Sequence, residues 1–117
     1  MPTMAVEQSV QTPQYLRTLQ NLYEQGYQDE VIDLTVRKLL ERQIQRDEAQ
    51  LKELETELAD YEQRFGMSSQ QLAARYQAGD AGDDLDVFEW NVIYKMHSRL
   101  ASALNLMKNG LSSLPTS

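Results

Sequence analysis

The chain has 117 residues, no cysteine, and 18 acidic against 11 basic side chains, a net charge of −7 at neutral pH. That length allows one domain with a modest core, and the absence of cysteine excludes a disulfide framework and a thiolate metal site. Neutralising phosphates needs clustered Lys and Arg, so an acidic chain disfavours nucleic acid as its principal partner.

Residues 1–12 are polar, lack periodicity and contain Pro2, which predicts a loose N-terminal arm. The opening Met-Pro-Thr-Met-Ala-Val-Glu has neither the basic nor the apolar region of a signal peptide. No apolar run approaches the ~20 residues that span a bilayer, so a cytoplasmic protein with no membrane association is expected. Thr12 and Pro13 form an N-cap and N1 pair. A first helix is predicted over about 14–25, with Tyr15, Leu16, Leu19, Leu22 and Tyr23 on one face and Gly26 as its stop.

The dominant element is one long helix from Glu30 to Phe65, opened by Asp29 and closed by Gly66, with neither Pro nor Gly between. Ile32, Val36, Leu39, Leu40, Ile44, Leu51, Leu54, Leu58, Tyr61 and Phe65 keep the three-and-four spacing of a helix–helix seam, broken by Asp47. At about 1.5 Å per residue this helix spans roughly 54 Å, too long to bury its stripe unaided. The first helix is expected to cover the Ile32, Val36, Leu39 and Leu40 end. Asp33 with Arg37, Glu48 with Lys52, and Asp60 with Arg64 place an acid four residues before a base. Glu53 and Glu57 have the same spacing and repel, leaving an uncompensated acidic strip beside Glu55 and Glu62. Asp47 reads as a polar seam residue that fixes register.

Ser68 and Gln71 stand in capping-box relation at the start of a short helix predicted over 69–78. An Asp- and Gly-rich turn follows, then a last helix from about 84 to 109 stopped by Gly110, with residues 112–117 as a flexible tail. Trp90, Ile93, His97, Leu100, Leu104, Met107 and Leu111 form its seam. Folded back antiparallel, it sets Trp90 near Phe65, His97 near Leu58, Leu104 near Leu51 and Met107 or Lys108 near Asp47. Phe88, Val92, Tyr94, Met96, Ala103 and Leu106 are apolar outside that seam, so a second neighbour is needed. The predicted fold is therefore all-α: a coiled-coil-like antiparallel hairpin with two short helices, residues 13–111, assembled with further copies into an oligomeric bundle. Its seam comprises Ile44, Leu51, Leu54, Leu58, Tyr61, Phe65, Trp90, Ile93, His97, Leu100, Leu104 and Met107. The 66–83 connection is long enough for the hairpin to close within one chain or by exchange between chains.

No catalytic constellation, cofactor site or metal site emerges. Asp80, Asp83, Asp84, Asp86 and Glu89 crowd one turn, but Leu85 stands where a calcium loop needs Gly, and acids there cap the following helix. Glu30-x-x-Asp33 and Glu57-x-x-Asp60 each resemble half of the acidic motif of all-helical nucleotide pyrophosphohydrolases, yet both lie on one helix about 40 Å apart. His97, the single histidine, lacks companions for a metal site or a triad. Arg37, Lys38, Arg42 and Arg46 form the one basic stripe, and nucleic acid enters at most through it or through a partner. Phe88, Glu89, Trp90 and Tyr94 combine aromatics with charge, either as the end plug of the bundle or as a contact surface.

Leu22-Tyr23-Glu24-Gln25-Gly26-Tyr27 leading into Glu30-Val31-Ile32-Asp33-Leu34, Phe65-Gly66-Met67-Ser68-Ser69, Tyr76-Gln77-Ala78-Gly79, and Gly82 through Trp90 together cover most of residues 22–94. In these motifs the chain resembles small acidic helical proteins of cyanobacteria and archaea that are antitoxin-like components encoded beside small toxins. The resemblance implies no catalytic residues. It implies a non-enzymatic protein that binds and neutralises a basic, ribonuclease-like toxin. Contacts with such a partner are expected from Glu53, Glu57, Asp84, Asp86, Phe88, Glu89, Trp90 and Tyr94. The alternatives are a structural or adaptor coiled coil without a toxin and, less favoured, the nucleotide hydrolase.

Overall fold

The computed structural model describes the backbone of residues 2–112 and the side chains of residues 11–112. The described residues form four helices: α1 (Pro2–Glu24), α2 (Glu30–Phe65), α3 (Ser69–Gln77) and α4 (Leu85–Ser112). The chain divides into two compact units, Met1–Val36 and Arg37–Ser117.

In the first unit α1 begins at Pro2 and continues through Pro13, where a loose arm and a start after Thr12 were expected. Proline removes one backbone donor and crowds the preceding turn, at about 3 kcal/mol, but this penalty does not by itself end a helix. Gly26, at φ +96°, turns the chain out of α1, with the Gly26 N–H on the Tyr23 carbonyl and the Tyr27 N–H on the Leu22 carbonyl. One carboxylate oxygen of Asp29 accepts the N–H groups of Val31 (2.9 Å) and Ile32 (3.1 Å), fixing the start of α2 at the expected residue. The Tyr23 hydroxyl donates to Asp33 (2.7 Å) and lies 3.1 Å from the Asp29 carbonyl, locking the turn. Apolar cover here is thinner than expected: Ile32 is half-buried, whereas Val31, Leu34 and Val36 are exposed. Leu39, in the second unit, is also exposed.

In the second unit α4 folds back on α2 of the same chain. Ile44, Leu54 and Leu58 of α2 and Val87, Trp90 and Leu104 of α4 are buried, as is Leu72 of α3. Leu51, Tyr61, Ile93, His97, Leu100 and Met107 are half-buried between them, while Phe65 at the end of α2 is more exposed. At the C-terminus of α2 the N–H groups of Gly66 and Met67 both turn to the Glu62 carbonyl, and Gly66 takes φ +62° to allow it. The capping box is present at α3: Gln71 N–H donates to Ser68 Oγ (3.1 Å), and Ser68 N–H to Gln71 Oε1 (3.2 Å). The Glu62 carboxylate takes the Ser69 N–H at 2.8 Å, a charge placed at the positive end of α3. α4 starts at Leu85 and runs through Gly110 to Ser112. The expected stop at Gly110 fails because helical glycine is unfavourable by only about 1 kcal/mol. Of the predicted tail at residues 112–117, Ser112 is instead the last residue of α4, and 113–117 lie outside the described residues.

Register differs from expectation by one residue at the far end of the hairpin. Lys108 pairs with Glu48, not Asp47, and Asp47 instead accepts from the Gln43 amide at 3.0 Å. The Glu48–Lys52 pair is thereby replaced. Arg37 lies 4.0 Å from Glu41, and Asp33 is occupied by Tyr23.

Candidate functional site: an acidic hairpin end

Trp90 organises the end of the hairpin where α2 finishes and α4 begins. Its ring lies 5.8 Å from that of Tyr61 at 6° and 5.4 Å from that of Phe65 at 20°, both offset stacks. Its indole N–H donates to the buried Ser69 hydroxyl at 2.8 Å. With 1% exposure, Trp90 is core. Its expected role as a partner contact is corrected, because a ring enclosed by α2 and α3 has no face left to offer. Tyr94, also expected at the surface, is half-buried against the cluster of Leu58, Leu72, Val87 and Trp90.

Charges encircle this plug. The Arg64 guanidinium sits 5.4 Å from the ring centroids of Tyr61 and Phe65, 3.1 Å from Asp86 and 4.0 Å from Asp60. The Tyr61 hydroxyl donates to Glu89 at 3.4 Å. Burial, and then the negative charge of Glu89, push the Tyr61 phenol above its ordinary pKa. Asp84 caps α4, accepting the Asp86 N–H on its carboxylate at 2.9 Å and the Phe88 N–H on its carbonyl. Glu55 lies 3.2 Å from His97 Nε2, so the seam histidine faces a carboxylate across the hairpin. Phe88, by contrast, is 51% exposed, with a tilted contact to Tyr76 at 6.4 Å.

Glu53 and Glu57 remain as expected: exposed, a helical turn apart, and without an ion-pair partner among the described residues. Residues 53–90 hold ten acids against Arg64 and Arg75, a net −8, so this segment carries the entire negative excess of a chain whose total is −7. The hairpin spreads that charge over the half of the second unit that holds the α3 connection, from Glu53 and Glu55 near its middle, where Glu55 faces His97, to Asp84 at the start of α4. Counting along the sequence could have found it; treating α2 and α4 separately divided the cluster in two.

No cluster of three or more metal-ligating side chains forms among the described residues. Glu30, Asp33, Glu57 and Asp60 all lie on α2, with Asp33 held by Tyr23 and Asp60 beside Arg64. Lys38, Arg42 and Arg46 of the basic stripe are exposed, and no described helix is long and apolar enough to cross a membrane. Two features escaped sequence reading. Ser69, the acceptor for the indole, is buried, and so is Asn91, whose Oδ1 has no hydrogen-bond partner among the described residues.

The sequence matches no protein-family model, no curated protein and no solved structure.

Proposed function

We propose that this chain is a non-enzymatic protein-interaction module whose acidic hairpin end binds and silences a small basic protein, as an antitoxin does. The observation that supports this reading most is the concentration of charge. Ten acids against two bases fall within residues 53–90, and Glu53 and Glu57 have no ion-pair partner among the described residues. Like charges one helical turn apart destabilise an isolated helix by about 0.2–0.5 kcal/mol, so folding alone gives no reason to keep them. A cationic partner does: it relieves the repulsion on binding and is drawn in by the field of the acidic end. The Trp90–Tyr61–Phe65 plug and the α3 cap make the surface rigid, which limits the ordering cost of association.

The test is functional. Small basic proteins encoded beside this chain are expressed alone and with it, and growth and cellular RNA integrity are followed. Rescue of an arrested culture by the wild type, and its failure with Glu53→Lys plus Glu57→Lys, is the expected result. An arrest that the chain does not relieve, or that the double variant relieves equally, contradicts the reading.

A further inference from the structure

One face of α4 is left mostly open: Tyr76 of α3 reaches it at Phe88, and Gln50 and Leu54 of α2 border it at Met96. Leu85, Phe88, Val92, Met96, Arg99, Ala103 and Leu106 follow one another by three or four residues and so share a stripe. Val92 is 38%, Met96 42% and Leu106 76% exposed, alongside the half-exposed Phe88. Water does not account for this face, because α4 already has another that suits it: Ser98, Ser102, Asn105 and Asn109 are all exposed. The stripe borders an open groove between α2 and α4 lined by Gln50, Leu54, Met96, Arg99, Leu100 and Ala103.

Charge along α4 is segregated. Asp84, Asp86 and Glu89 stand at its start, whereas residues 91–112 contain Lys95, Arg99 and Lys108 and no acid. Lys108 is paired with Glu48, but Arg99, in the middle of the apolar stripe, has no ion-pair partner among the described residues. Such a helix complements itself when reversed.

We propose that the α4 stripe docks on the same stripe of a second copy, the two helices running antiparallel about a two-fold axis beside Met96. In that register Leu85 meets Leu106 of the second copy, the bulky Phe88 meets the small Ala103, and Val92 meets the aliphatic stem of Arg99. The Arg99 guanidinium then reaches Glu89 of the second copy, one turn from Val92, and symmetry makes the pair twice. A parallel arrangement sets Glu89 against Glu89 and Arg99 against Arg99, and is disfavoured by like-charge repulsion. The contact uses Phe88 and Glu89, two of the expected partner contacts, and leaves Glu53 and Glu57 free.

The absence of native cysteine allows a direct test on the full chain. Met96→Cys is expected to form an intermolecular disulfide on mild oxidation, whereas Ser98→Cys, on the polar face, is not. By light scattering the wild type is expected to be a dimer. Arg99→Glu weakens it at least tenfold with helicity unchanged by circular dichroism, and Arg99→Glu combined with Glu89→Arg restores it. A monomeric wild type, equal crosslinking at both cysteines, or a charge swap that fails to restore a dimer lost in Arg99→Glu overturns the proposal.

Discussion

The indole N–H of Trp90 donates to Ser69 Oγ at 2.8 Å across 21 residues of sequence, with both side chains buried. This bond ties the first residue of α3 to the core of the α2–α4 hairpin. Ser69→Ala leaves a buried donor unpaired and is expected to destabilise by about 1–3 kcal/mol. A lower urea midpoint with an unchanged slope is the expected reading. An unchanged midpoint would show that the indole finds water instead.

Stability should fall in alkali through Tyr61. Its phenol is pushed above the ordinary value by burial and then by Glu89, so the folded state favours the protonated form more than the unfolded state does. The resulting stabilisation is present in full below about pH 10, the unfolded value, and is lost as pH rises through and above it. Tyr23 acts in the same direction, raised chiefly by its hydrogen bond to Asp33. Tyr61→Phe should therefore flatten the loss of stability above about pH 10 in urea titrations. Parallel curves for wild type and variant would contradict the assignment.

Two glycines should respond to alanine with opposite signs. Gly66 sits at φ +62°, and a Cβ there meets nothing, so Gly66→Ala costs only the left-handed backbone, about 1–2 kcal/mol. Gly110 lies inside α4 with open space around it, so Gly110→Ala should stabilise by about 0.5–1 kcal/mol. Thermal melts of the two variants should shift in opposite directions, and a common direction would contradict the positions of these helix ends.

Glu57→Lys converts the repelling Glu53–Glu57 pair into an attractive one. It should raise stability by a few tenths of a kcal/mol, within the small range of exposed pairs, while weakening association with a cationic partner. A variant that loses both stability and binding would show that Glu57 has a structural role.

The sequence was most legible where local chemistry sets a boundary. Asp29 and Gly66 delimit α2 because a carboxylate on free N–H groups and a left-handed glycine act within one turn. The capping box of Ser68 and Gln71 and the Trp90–Phe65 contact were legible for similar reasons, the second from matched seam spacing. Pro13 and Gly110 misled because each imposes a penalty of only a few kcal/mol that the surrounding helix tolerates. The one-residue error that put Asp47 instead of Glu48 beside Lys108 follows from reading register off spacing, since long charged side chains reach either neighbour. Trp90 was ambiguous in sequence because an aromatic beside acids looks alike as plug or as contact. Beside the expected Phe65, only the fold supplies Ser69 and Tyr61 around it. Of the acidic site, Glu53 and Glu57 were visible as an unpaired strip, but its merger with the acids of the α4 turn depends on the hairpin.

The most direct measurement is calorimetric titration of the purified chain with any small basic protein found encoded beside it, repeated at rising salt and with Glu53→Lys plus Glu57→Lys. Binding in a fixed ratio that weakens steeply with salt and falls at least tenfold in the double variant is the result expected of an acidic silencing surface. No heat of binding, or an affinity indifferent to both salt and the two substitutions, would contradict it.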